Sequence, residues 1–148
     1  MDTASGHALE LTANECFRLL QTAQVGRLAL TQRALPVVIP VNFALEGQTI
    51  VIRTGPGSIL SAAKPPGVVV AFEVDEVDPE TYSGWSVLVT GTMREVTDAS
   101  ETLRLSQLAL NPWVGGDRRH FVRVMPGLIS GRRILPQDSG SISLTGSC

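Results

Sequence analysis

The sequence predicts a mainly β fold, an antiparallel β-barrel with α-helices inserted between its strands. Three observations carry this. Apolar residues return at a period of two in six or seven strand-length runs rich in β-branched side chains. The connections between most of these runs are short and contain Gly, Pro, Asn or Asp, as antiparallel neighbours need. The helical segments follow the third run and precede the last pair instead of alternating with every strand, so a doubly wound parallel sheet is disfavoured.

Residues 1–10 read as a loose lead-in. Thr12 and Glu15 form a capping-box pattern, and Cys16, Phe17, Leu19, Leu20 and Ala23 recur at helical spacing, which predicts a helix over 13–23. Val25 to Thr31 predicts a strand, with Gln32-Arg33-Ala34 as a short connection. Leu35 to Ala44 predicts a second strand whose Pro36 and Pro40 mark an edge or a bulge. Glu46-Gly47 predicts a hairpin turn into a strand over 48–53. Gly55-Pro56-Gly57 predicts a tight turn, with Ser58 as the cap of a short helix to Lys64. Val68 to Val74 predicts a strand buried on both faces, and 75–84 an acidic loop. Trp85 to Val96 predicts a long strand with a bend or bulge at Gly91. Thr97-Asp98 predicts the cap of a helix to Leu110, stopped by Asn111-Pro112. Phe121 to Met125 and Leu128 to Ile134 predict the last two strands, joined by Pro126-Gly127. The Ser/Gly-rich tail over 136–148 is expected to be disordered.

The 148 residues fit a single domain with its own core, here 11–135. Hydrophobic residues make up 43%, which favours a buried subunit interface. The net charge of −2 disfavours a nucleic-acid partner, which selects for a basic face. The two cysteines, Cys16 and Cys148, and the two histidines, His7 and His120, show no metal-ligand spacing. No basic leader and no bilayer-length apolar run is found, so a cytoplasmic protein without membrane contact is expected. Nucleophile elbow and GxGxxG fingerprint are both missing. The acids Glu73, Asp75, Glu76 and Asp78 alternate along a strand end and loop, which suits solvated side chains. If the chain is an enzyme, a bound cofactor carries its chemistry.

Four segments are candidates for a site. In Arg53-Thr54-Gly55-Pro56-Gly57-Ser58 a strand ends, a glycine-rich turn follows and a helix begins. Amide donors, a guanidinium and two hydroxyls then point to a phosphate cradle, although an ordinary capped turn uses the same residues. In Ile39-Pro40-Val41-Asn42 the proline frees backbone groups that a flat heterocycle can use, and a plain edge strand reads the same. Trp85, in Gly84-Trp85-Ser86, covers a ligand ring, fills an interface or packs a core. Trp113 suits the packing of a helix end, and Arg118-Arg119 a solvated face.

The order Val-Gly-Arg-Leu-Ala-Leu, Leu-Pro-Val-Val-Ile-Pro-Val-Asn-Phe, Ile-Arg-Thr-Gly-Pro-Gly-Ser, Val-Ala-Phe-Glu-Val-Asp and Gly-Trp-Ser-Val-Leu-Val-Thr-Gly resembles the flavin-binding split-barrel proteins. More narrowly it resembles the pyridoxamine 5'-phosphate oxidase-like proteins of actinobacteria. Pro-Trp at 112–113 and Ile-Ser-Gly-Arg-Arg-Ile at 129–134 continue the likeness, which covers about residues 10–135.

The resemblance implies a six-stranded Greek-key split β-barrel, homodimeric, with FMN at the dimer interface. It implies that Pro40, Val41 and Asn42 line the isoalloxazine ring. Arg53, Thr54, Gly57, Ser58 and Ile59 lie around the ribityl phosphate, and Trp85 and Ser86 reach in from the second subunit. One departure stands out: many relatives read Gly-Ser-Lys-Leu where this chain has Gly57-Ser58-Ile59-Leu60. Loss of that charge weakens FMN by roughly 1.5–3 kcal/mol unless Arg53 or Lys64 compensates. The implied activity is an FMN-dependent oxidoreductase acting on a small molecule. A deazaflavin-dependent reductase, or a non-catalytic flavin- or haem-binding protein, are the alternatives on the same barrel. The substrate-contacting residues of true pyridoxamine-phosphate oxidases are not recognisable. On this reading Ile59→Lys tightens FMN, and Arg53→Ala weakens it far more than Arg118→Ala; equal effects of the two arginine variants in a titration would contradict the placement of the phosphate.

Overall fold

The structure, a computed structural model, describes residues 8–108 and 119–136. Seven strands are present among them: β1 (Ala8–Glu10), β2 (Val25–Gln32), β3 (Leu35–Glu46), β4 (Thr49–Thr54), β5 (Val68–Asp78), β6 (Ser83–Glu95) and β7 (His120–Ile134). Three helices join them: α1 (Ala13–Leu20), α2 (Ser58–Ala62) and α3 (Ala99–Leu105). The strand order is β1-β7-β4-β3-β2-β5-β6, and β6 also pairs with β7, so β2 to β7 close into a ring of six antiparallel strands. In it β2, β3 and β4 are consecutive neighbours and β5 returns beside β2, which is a Greek key.

Alternation along the strands builds the core. Leu28, Phe43, Ile52, Phe72, Val89 and Val122 all face inward and are essentially buried. Phe43 and Phe72 meet edge to face, with ring centroids 4.9 Å apart. A smaller cluster lies outside the barrel, where α3 lays Leu105 over Val51 of β4 and Phe121 of β7. An ion network pins that helix. Arg123 donates from Nη2 to Glu101 Oε2 at 2.7 Å and from Nη1 to Thr49 Oγ1 at 2.7 Å, and it pairs with Glu46 at 2.9 Å. Arg104 reaches the same Glu46. The Arg104 guanidinium, aided by Arg123, holds the Glu46 carboxyl below the usual carboxylate range.

Several boundaries depart from the sequence expectation, each for a local reason. The lead-in is not wholly loose, because Ala8–Glu10 pairs antiparallel with Ile134–Arg132. The acidic stretch continues β5 and β6 beyond the barrel, pairing Asp75–Asp78 with Ser86–Ser83 and leaving only a tight turn. Acidic side chains sit comfortably there because that end of the hairpin is solvated. The last two predicted strands are one strand. Pro126-Gly127 is a bulge opposite Thr90/Gly91, where the register shifts, and not a turn. The bulge expected at Gly91 is found there. Gly57, with no side-chain cap, and not Ser58, precedes α2. Trp113, Arg118, the end of the helix expected to run to Leu110 and all of the tail beyond residue 136 lie outside the described residues.

A Cβ at Gly91 would stand 2.1 Å from the Met125 carbonyl oxygen, a backbone atom held by the opposite strand. Gly91→Ala is therefore expected to force β6 and β7 apart and cost about 1–3 kcal/mol, the usual range for overpacking. Urea unfolding of the variant checks this, and an unchanged midpoint would contradict the register.

Candidate functional site

The site begins where two strands part. β3 pairs with β4 only over Phe43–Glu46 and Ile52–Thr49. Beyond that, β4 follows β7 instead, out to the Thr54–His120 rung. The first half of β3 stays paired with β2 alone, over Leu35–Asn42. Among the described residues one edge of β3 is therefore left without a strand partner, and a wedge opens between it and the 53–58 segment.

The chemistry of that edge follows from register. The Phe43 N–H donates to the Gln24 carbonyl at 3.0 Å, so odd-numbered residues of β3 form the hydrogen-bonded pairs with β2. Even-numbered residues then point their backbone groups toward the open edge. Pro36 and Pro40 occupy two of these places, where a missing N–H costs no ladder bond. What remains is an alternating row: carbonyls of Pro36, Val38 and Pro40, and N–H groups of Val38 and Asn42. This is an edge of donors and acceptors with few amides to recruit another strand.

At its wide end the wedge becomes a cleft of about 670 Å³. One wall is Leu35 and Val37 of β3, the other is Gly57, Ser58 and Ser61 at α2, and the β2–β3 turn closes the end. That volume lies within the range of small-ligand sites.

The expected site residues divide into groups. Pro40 is exposed on the open edge and Asn42 is half-buried beside the vertex, while Val41 turns inward and is 5% exposed. Arg53 is half-buried on the outer face of β4, its guanidinium 5.7 Å from the ring centre of its cross-strand partner Phe121. Thr54 donates its hydroxyl to the Gly55 carbonyl at 3.2 Å. Gly57 and Ser58 line the cleft. Of these expected residues Gly57 and Ser58 line the cleft, and Pro40, Val41, Asn42, Arg53 and Thr54 do not.

Three residues lie elsewhere. Ile59 is 8% exposed and packs in the barrel core, because the buried side of α2 carries Ile59 and Leu60. Trp85 is 7% exposed and belongs to the same core, its indole turned inward by strand alternation, which leaves little of it to reach another chain. Ser86 faces outward on β6, three strands from Asn42, on the order of 14 Å along the sheet. Residues not foreseen also line the cleft: Arg33, Leu35, Val37 and Ser61. The β2–β3 connection carried no signal of this, since only the fold brings it beside α2.

The outer face also carries an ion network. Arg27 Nη1 bridges Glu73 at 2.8 Å and Asp75 at 3.1 Å. Burial, together with its hydrogen bond to Asp75, pushes the Glu73 carboxyl up against the pull of Arg27. Among the described residues no group of acids, histidines and cysteines is placed to hold a metal, and no helix is long and apolar enough to cross a membrane.

A closed six-stranded barrel parted by such a wedge is a split β-barrel. The model of the family described as pyridoxamine 5'-phosphate oxidase matches residues 12–133, and the chain belongs to this pyridoxamine 5'-phosphate oxidase-like family. It is 37% identical to an uncharacterized Mycobacterium tuberculosis protein, Rv0080, over 86% of each chain. Among solved structures it is similar to the FAD binding protein from Mycobacterium smegmatis, at 33% identity and a TM-score of 0.66, covering 86% of this chain and 99% of that one. A Corynebacterium glutamicum structure is 30% identical, with a TM-score of 0.77, over 88% and 96% of the two chains.

The position of Ile59 reverses what a lysine there would do. Ile59→Lys places an ammonium among core side chains and is expected to lower stability by several kcal/mol without tightening flavin. Thermal unfolding and an FMN titration of the variant check this; a stable variant with higher FMN affinity would contradict the placement of α2.

Proposed function

We propose that this chain is a flavin-dependent oxidoreductase acting on a small molecule, with FMN held in the wedge between β3 and the 53–58 segment. The observation that carries the reading is the open edge of β3, an alternating set of backbone donors and acceptors beside a cleft of about 670 Å³. A flat heterocycle with polar groups on its rim matches that edge, and a phosphate tail matches the hydroxyl-lined end. Family membership and the likeness to the FAD binding protein of Mycobacterium smegmatis support it. That likeness also favours a second reading, FAD in place of FMN.

A bound flavin supplies hydride exchange between a reductant and an acceptor. The chain's part is to bind, orient and exclude water. Pro40 and Asn42 border the ring, Ser58 lies toward the phosphate, and Arg53 stands on the outer face near the vertex. No side chain is assigned as acid or base.

A second copy of the chain completes the site in this proposal. Val38, Val69 and Leu128 lie on the outer face at 62%, 67% and 74% exposure, with Ala29, Ala71 and Thr90 between them on neighbouring strands. Covering an apolar band of this kind is favourable, and it would bring Ser86 of the partner toward the wedge.

The test is to purify the protein without added cofactor, denature it, and identify the released molecule by absorbance and mass. A flavin mononucleotide, in a protein that elutes as a dimer and is bleached by NAD(P)H, is the expected result. A flavin dinucleotide supports the second reading. A colourless protein that neither quenches nor retains added FMN or FAD would overturn both.

A further inference from the structure

Among the described residues the cleft contains one charged side chain, and it belongs to none of the residues assigned above. Arg33 sits at the tip of the β2–β3 turn and lines the cleft together with Gly57, Ser58 and Ser61. We infer that Arg33 is the cation that binds the phosphate of the nucleotide in the wedge, the role that the family resemblance gives to a lysine at position 59. The inference rests on the flavin reading and adds to it the residue that neutralises the tail.

Four observations carry it. First, among the described residues no carboxylate lines the cleft; Arg33 shares it with the hydroxyls of Thr31, Ser58 and Ser61, the Gln32 amide and the apolar Leu35, Val37 and Ala62. Its planar fork of donors suits a phosphate better than a point charge does. Second, the side chain is unengaged: among the described residues Arg33 has no hydrogen bond or ion pair, whereas Arg27, Arg104 and Arg123 are all paired with carboxylates. Third, its backbone is held. The β2–β3 ladder runs to the Gln32–Leu35 rung, which leaves Arg33 and Ala34 as a two-residue turn with φ of 51° and 65°. Fourth, the other candidate cations are placed elsewhere. Lys64 is paired with Glu95 at 3.2 Å, and Arg53 lies over Phe121 and does not line the cleft.

The experiment titrates flavin-free protein with FMN, FAD and riboflavin, following flavin fluorescence, for the wild type, Arg33→Asn and Arg33→Lys. Asparagine tolerates the left-handed turn, so the first variant removes the charge and keeps the backbone. Riboflavin lacks the phosphate and reports on the ring site alone. Arg33→Asn is expected to weaken FMN about tenfold or more, the scale of one charge-assisted hydrogen bond, while riboflavin is unchanged and Arg33→Lys recovers part of the loss. The same selective loss with FAD also supports the inference and identifies a diphosphate in the cleft. If the variants bind FMN and FAD as the wild type does, the inference fails and the flavin reading stands. If riboflavin weakens as much as FMN, Arg33 acts through the turn and the inference fails. A wild type that binds none of the three overturns both.

Discussion

A β-strand has two edges, and each can be paired only once at any rung. β4 meets β3 on one side and β7 on the other, but it is only six residues long and turns away from β3 after four rungs. It remains with β7 to its end. That unequal division is the constraint from which the site follows. A β3 zipped to β4 along its whole length would leave neither an open edge nor a cleft. The exposed edge is also the kind of surface that invites another strand. Pro36 and Pro40 remove two of the N–H groups such a strand would need, and they do so at positions that leave the β2 ladder undisturbed. β2 holds this half of the strand, and its other edge stays open.

Supporting elements fix the walls of the wedge. α2 seals the barrel with Ile59 and Leu60 and presents Ser58 and Ser61 outward. α3 covers the outer face of β4 and β7, where Leu105 rests on Phe121 and Phe121 in turn lies beneath the Arg53 guanidinium. The network of Arg123 and Arg104 with Glu46 and Glu101 ties this helix to the β3–β4 hairpin, so the hairpin that ends at the vertex is braced from outside. The bulge at Gly91 lets β6 and β7 run together along most of their length and close the ring on the far side.

Much of this was legible before the structure, because alternation and turn chemistry are local. The β-rich pattern, the Thr12–Glu15 capping box, the Glu46-Gly47 hairpin and the irregularity at Gly91 could all be read from adjacent residues. Pro40 pointed to an edge for the same reason. Other features depend on which strands become neighbours, and the chain does not state that locally. Acidic side chains at 75–78 suggested a loop, yet they pair in a hairpin whose end simply projects into water. Pro126-Gly127 resembled a turn because a bulge and a turn use the same residues. Ile59 was placed near the phosphate by position in a motif, but helix phase turns it into the core. Arg33 looked like a connector, since only closure of the barrel puts the β2–β3 turn across a cleft from α2. Family likeness pointed to the strand and turn that border the wedge and not to which side chains face it.

Amide hydrogen exchange along β3 tests the wedge most directly, comparing the protein with and without FMN. Val37, Ile39 and Val41 are already bonded to β2, so their amides should be slow in both states. Val38 and Asn42 face the open edge, and their exchange should slow when FMN is added. Tight FMN binding with no change at Val38 and Asn42 would contradict the account, since the ligand would then lie away from the edge on which the site depends.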